Sequence, residues 1–308
     1  MGFYRSSASK KVYASDDRKS TGFKGMTCII FIGAVLILAS ILLIAVKADE
    51  SDEAAVMRIR QEIREDRFIL HAGGFLPGND GEDMYLSNSV QALDNFRENG
   101  TTRFLEMDFL ITTDDDIICA HKWKAIYVDG KALKGPVTKA EALSGHYKDT
   151  PYTPACIDDV VKLMEDMPET YIVTDVKNDN LSCMKIIADR WPEFKDRFIV
   201  QIYHDAEYEE IRSLGFRYII FTLYDTEEDE HTYEALKAAV DKHLIVGLTV
   251  WYKWLNPRKM PVFAEQFDLI KSLGIPLYCH TVDEPEKMRE YFDMGFEALY
   301  TNVMKPGA

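Results

Sequence analysis

The feature of this 308-residue chain that most limits its fold is a repeated exchange of short apolar runs with amphipathic stretches. The runs read RFILHAG, RFLEMDFLIT, TYIVTDVK, FIVQIYH, RYIIFTLY, LIVGLTVWY, IPLYCHTV and FEALYTN. Between them lie segments such as NSVQALDNFRENG, EYEEIRSLG, TYEALKAAVDKH, FAEQFDLIKSLG and PEKMREYFDMG, several of which close on Gly, the usual residue just past a helix. Alternation of this kind means parallel strands joined by crossover helices. Eight such strands across residues 67–308 predict a closed (β/α)8 barrel of the α/β class, with a doubly wound open sheet as the alternative.

One element breaks the rhythm. IICAH follows FLEMDFLIT with only a short Asp-rich segment between them, so the pair is predicted to be a hairpin turning at Asp114, Asp115 and Asp116. Residues 122–158 are then expected as an insertion over one end of the barrel.

Upstream, residues 26–46 read MTCIIFIGAVLILASILLIAV, without a single charge. A bilayer-spanning helix needs about 20 apolar residues, whereas the apolar part of a cleaved signal peptide is usually about 7–15. The expectation is an uncleaved transmembrane helix. Residues 1–25 carry six basic residues against two acidic ones, so of the total net charge of -15 the rest of the chain holds -19. Basic flanks stay on the cytoplasmic side. A basic cytoplasmic tail (1–25), an anchor (26–46), a linker with a short helix (47–66) and an outward-facing barrel (67–308) are therefore predicted. An acidic barrel repels phosphate backbones, which argues against nucleic acid as a partner. None of the five cysteines has metal-type CxxC spacing, and they are expected as buried small hydrophobes.

Within the second strand, Glu106 and Asp108 are two residues apart and so share one face, at the strand end where barrels carry their sites. Asp175 and Lys177 repeat the spacing on the next barrel strand. For an isolated pair of acids, salt bridges to Lys177 or Lys122 would suffice. Three acids gathered from adjacent strands instead suit one hard divalent cation, Mg2+ or Ca2+. His71 ends the first strand and His121 the hairpin strand, and imidazole titrates where acid–base chemistry needs it. His204 and His280 also end strands and are candidates for the same rim, whereas His146, His231 and His243 fall in loop or helix patterns and are expected at the surface. Tyr203, Tyr224, Trp251, Tyr252 and Trp254 are candidates for an apolar wall.

Read in order, HAGG, SNSVQAL, EMDFLITTDD, CAH, YTPACIDDVVKLM, YIVTDVK and YCHTVDEPEKMREYFDMGFEALYTN resemble the glycerophosphodiester phosphodiesterase family, which belongs to the phospholipase-C-like TIM barrels. The resemblance covers about residues 67–303 and implies a TIM barrel with a small insertion after the hairpin. It implies Glu106, Asp108 and Asp175 as metal ligands, His71 and His121 as the catalytic pair and Lys177 as a phosphate contact. It implies substrates among glycerophosphodiesters, lipid headgroups and glycerol-phosphate polymers. The chain also departs from the family pattern. Ala72 replaces an arginine, Ser87 a frequent Glu, Lys122 an Asp, Asp175 a Glu and Asn302 the final Asp. A phospholipase C- or D-like lipid phosphodiesterase and a barrel that binds phosphodiesters without cleaving them stand as alternatives. The first would show an apolar lip, formed for instance by the insertion.

Overall fold

A computed structural model of the chain describes residues 50–77, 83–84, 88–224, 226, 228–259 and 261–305. The expected anchor at 26–46, Cys28 and Ser87 lie outside the described residues. No helix among the described residues is long and apolar enough to cross a membrane.

The barrel strands are β1 (Phe68–Leu70), β2 (Phe104–Ile111), β7 (Tyr171–Val176), β8 (Phe198–Ile202), β9 (Tyr218–Thr222), β10 (Gly247–Trp251), β11 (Leu277–His280) and β12 (Ala298–Thr301). Each pairs in parallel with its neighbours, and β1 meets both β12 and β2, so the sheet closes. Closure removes the open-sheet alternative. Crossover helices are α2 (Val90–Asn99), α4 (Ile157–Asp166), α5 (Asn180–Arg190), α6 (Glu207–Ser213), α7 (Tyr233–Lys242), α8 (Pro261–Lys271) and α9 (Pro285–Asp293). Local signals set their ends: the Ser89 hydroxyl accepts from the Ala92 N–H at the start of α2, and Gly295, at φ 103°, ends α9.

The expected hairpin is present. β3 (Ile117–Cys119) runs antiparallel to β2, with Phe109 opposite Cys119. The insertion that follows folds as three short antiparallel strands, β4 (Ile126–Val128), β5 (Lys131–Ala132) and β6 (His146–Tyr147), with α3 (Lys139–Leu143) between β5 and β6. It has its own apolar core, including Ile126, Leu133, Ala142 and Tyr147. The barrel resumes at Ile157, close to the predicted boundary.

Residues 52–66 correct the linker reading. They form α1 (Asp52–Asp66), whose Ala55, Val56, Ile59 and Ile63 are fully buried. These pack with Phe104, Tyr171 and Tyr218, which lie at the strand starts. The Arg58 guanidinium donates to the Tyr171 and Tyr218 hydroxyls at 3.1 and 2.9 Å. The helix therefore seals the end of the barrel opposite the strand C-termini. Its charged residues mark one face of an amphipathic helix, and burying each large aliphatic on the other is worth about 1.5–3 kcal/mol.

Candidate active site

Strand alternation and register build the site. Glu106 and Asp108 both point into the barrel from β2, and Asp108 stands beside Asp175 of β7 in direct register. All three acids are buried, and one oxygen from each falls within 4.8 Å of the others. The Lys177 ammonium bridges two of them, at 2.6 Å from Asp108 Oδ1 and 2.7 Å from Asp175 Oδ2. The salt-bridge reading and the site reading therefore meet in one cluster. An ammonium has three N–H donors, so one remains free for an anion. Lys122, the other lysine considered, is exposed.

Each acid is held differently. The Asn88 amide donates to Asp108 Oδ2 at 2.6 Å, and its carbonyl oxygen accepts the Asp108 N–H at 3.0 Å. Asp175 accepts from both the Tyr203 hydroxyl and, at 2.6 Å, the Tyr224 hydroxyl. Burial works against ionisation of Asp175, but Lys177 and the two hydroxyls outweigh it and hold its pKa down at about 2. Burial also opposes charge on Lys177, but Asp108, Asp175 and Glu106 overcome it and push its pKa up. Glu106 accepts the Ala72 N–H at 2.7 Å on Oε2, an approach set by the left-handed Ala72 backbone at φ 50°. Its Oε1 is buried without a hydrogen-bond partner among the described residues. Burial first, then Asp108 and Asp175, push the Glu106 carboxyl well above its ordinary range. With all three acids ionised, as a bound cation would require, three carboxylates against one ammonium would leave two negative charges unmatched. That deficit, together with the orphaned oxygen, fits one hard divalent cation held by Glu106, Asp108 and Asp175.

The histidines surround this cluster. His71 Nε2 lies 3.8 Å from Glu106 Oε2, and His71 Nδ1 is 2.7 Å from Asn302 Oδ1. The edge of His71 meets the face of His280, with centroids 4.7 Å apart. Burial lowers the pKa of His121, against the pull of Asp108, and lowers that of His280 far more. His71, His121, Asp175, Lys177, Tyr224, Trp251 and His280 line one hollow of about 280 Å³. A larger hollow, about 730 Å³, is lined by Tyr252, Tyr291 and residues 281–287 and holds none of the six residues singled out from sequence.

The structure thus brings together His71, His121, Glu106, Asp108, Asp175 and Lys177. Among the further candidates it adds His280 and leaves His204 exposed beside Glu230. His231 and His243 are not at the surface: His231 packs on Trp254, and His243 on Tyr208 and the Asp205 carboxylate. Of the expected aromatic wall, Trp251 and Tyr224 line the hollow, Tyr203 lies buried against Asp175, Tyr252 is exposed, and Trp254 is core packing. Four cysteines are described, all buried and free. Sequence reasoning missed the roles of Asn88 and the two tyrosine hydroxyls. Only Asn88 left a sequence signal, as the residue before the Ser89 cap.

No family model and no curated protein sequence matches this chain. Solved structures do resemble its fold. A glycerophosphoryl diester phosphodiesterase from Parabacteroides distasonis aligns at 16% identity and TM-score 0.55, over 77% of this chain and 82% of its own. A glycerophosphodiester phosphodiesterase from Thermotoga maritima aligns at 17% identity and TM-score 0.53, over 77% of this chain and 95% of its own. A phosphodiesterase from Oleispira antarctica, solved with its product sn-glycerol-3-phosphate, aligns at 13% identity and TM-score 0.56, over 77% of this chain and 92% of its own.

Proposed function

We propose that this chain is a metal-dependent phosphodiesterase acting on glycerophosphodiesters or related glycerol-phosphate compounds. In this proposal it is held in a membrane by residues 26–46, with the barrel outside the cell interior. The observation that carries the reading is the convergence of His71 and His121 on one hollow with Lys177 and the acid cluster. Two imidazoles on one hollow can supply both a proton acceptor and a proton donor, which cleavage needs and binding alone does not. The similar folds whose names specify glycerophosphodiester cleavage support the same substrate class.

The residues divide the work. Glu106, Asp108 and Asp175 would hold a Mg2+ or Ca2+, which would supply positive charge against the negative charge that grows on the phosphate in the transition state. The free Lys177 N–H adds a second cationic contact. One imidazole takes the proton of the attacking hydroxyl, from water or a neighbouring substrate hydroxyl, and the other returns a proton to the leaving alkoxide. Trp251 and Tyr224 provide a flat apolar side for the glycerol moiety. The insertion bears on the substrate. The large hydrophobic side chains exposed among the described residues are Met57, Leu181, Tyr252 and Leu269, none of them in the insertion. Lys122, Lys124, Lys131 and Lys134 are exposed there instead. An insertion without an exposed apolar lip, and with Lys122 next to His121, favours water-soluble anionic diesters over intact phospholipid.

The test is diester turnover by the full-length protein, with and without a chelator, for the native chain and His71→Ala. Chelation is expected to abolish turnover, and the substitution to lower kcat by about 10²- to 10⁴-fold. Turnover unaffected by either overturns the proposal.

A further inference from the structure

We propose that Asp283 and Asn302 form a positioning relay that fixes the ring proton of His71 on Nδ1, leaving Nε2 bare toward the hollow. Under the phosphodiesterase reading, on which this last step rests, His71 is then the proton acceptor and His121 the donor.

The argument is one of donors and acceptors. Asp283 sits in the loop after β11 and is gripped by the segment that ends β12. Its Oδ1 accepts the Asn302 N–H at 2.7 Å and the Thr301 hydroxyl at 3.1 Å. Its Oδ2 accepts the Asn302 side-chain amide at 2.8 Å. An ionised carboxylate only accepts, so the Asn302 side chain must turn its NH2 toward Asp283. Oδ1 of Asn302 is then left facing His71, 2.7 Å from Nδ1. A carbonyl oxygen only accepts, so Nδ1 carries the hydrogen. In the neutral ring Nε2 therefore holds a lone pair, and it is this nitrogen that lies 3.8 Å from Glu106 Oε2. Asn302 is buried, and His280 packs on the ring of His71, so the imidazole has little freedom to turn. Without Asp283 the Asn302 amide has no reason to choose. Flipped, it would offer NH2 to Nδ1 and select the opposite tautomer.

Asn302 thus does more than stand in for a lost carboxylate. It passes the orientation imposed by a charged neighbour to His71 while keeping that charge one hydrogen bond away. Neither Asp283 nor Asn302 lines the hollow, so both act through His71.

The test uses full-length protein labelled with 15N at histidine, with His71→Gln assigning the resonance, at a pH where the ring is neutral. Nδ1 protonated and Nε2 bare is the expected pattern in the native chain. Asn302→Leu is expected to move the population toward the Nε2-protonated form and to lower kcat at least tenfold with little change in KM. Asn302→Asp alone sets two carboxylates against each other and is expected to lose activity. Asn302→Asp combined with Asp283→Asn keeps one amide, one carboxylate and an acceptor for Nδ1, and is expected to restore both tautomer and kcat. Thermal melts of each variant separate these effects from unfolding. A native Nδ1 without hydrogen overturns the relay, as does a folded double variant no better than Asn302→Asp. Because the tautomer is read without substrate, the two readings fail separately. The expected tautomers without any diester turnover would uphold the relay and sink the phosphodiesterase reading. Normal turnover with the opposite tautomer would do the reverse.

Discussion

The Lys177 ammonium lies 2.6 Å from Oδ1 of Asp108, a carboxylate with no exposed surface. It touches Asp175 at 2.7 Å as well, so one cation screens two acids that share a register position on adjacent strands. Removing it leaves like charges buried together. Lys177→Met is expected to destabilise the metal-free protein by about 3–5 kcal/mol. Much of that loss should return on addition of Mg2+ or Ca2+, which would replace the missing charge. Thermal melts with and without the cation check this. A variant as stable as the native chain in chelator would show that the pair does not hold the site together.

Glu106 gives a proton-release prediction. Burial and its two acid neighbours raise its pKa, so without a cation it retains a proton above the ordinary carboxyl value of 4.5. A raised acid contributes stability below that value and loses it as pH climbs through the folded pKa. Metal-free protein should therefore lose stability on that side, and a bound cation should reverse the trend by displacing the proton. Calorimetric titration in two buffers of different ionisation enthalpy is expected to report proton release on cation binding. Glu106→Gln should abolish the release and weaken binding.

His280 sets the acid side. Its pKa is pushed well below 6.5 by burial and then by His71, so the folded ring stays neutral while the unfolded chain takes up a proton. The unfolded state then binds more protons, and stability falls as pH drops below about 6.5. His280→Phe is expected to flatten the slope of unfolding free energy against pH between about 6.5 and 5 by up to one proton. Denaturant melts across that range measure it.

Ile59 probes the sealed end of the barrel. It is fully buried among strand-start residues. Ile59→Ala is expected to cost about 2–5 kcal/mol of stability, with turnover per folded molecule retained, because the hollow lies at the opposite rim. A large fall in kcat at unchanged stability would contradict this separation.

The exposed lysines of the insertion predict salt dependence. Lys124 and Lys134 flank the β4–β5 pairing, which the Leu133 N–H extends by donating to the Ile126 carbonyl at 2.9 Å. Reversing Lys124 and Lys134 to Glu is expected to reduce kcat/KM for multiply anionic glycerol-phosphate substrates. The effect should fade above physiological ionic strength, as exposed-charge effects do. A zwitterionic glycerophosphodiester should be affected less. Equal loss on both substrates would remove the electrostatic account.

How much of this was legible in the sequence depended on distance along the chain. Glu106 and Asp108 declare a shared face by spacing alone, and Asp175 with Lys177 repeats it, so the acid cluster followed from strand periodicity. His71 and His121 were legible as strand-end residues. The bond from His71 to Asn302 joins positions 231 residues apart, and no local pattern announces it. Tyr203 and Tyr224 read as candidates for an apolar wall, because an aromatic side chain at a strand end declares its ring and not the partner of its hydroxyl. Only the register of β7 to β9 turns their hydroxyls onto Asp175. The charged face of α1 hid its function for a related reason. A helix that plugs a barrel is half polar, and sequence alone does not reveal what its apolar half meets.

One detail of barrel closure has a mechanical side. β1 is three residues long and meets β2 through the single register pair Leu70 and Leu105. Immediately beyond that seam the Ala72 amide reaches across to Glu106, and His71 lies over the same carboxylate. The reactive groups therefore also fasten the cylinder where its hydrogen bonding is thinnest. A ligand that tightens Glu106 draws the first and second strands together, and slow exchange of the Ala72 amide would record that stitch.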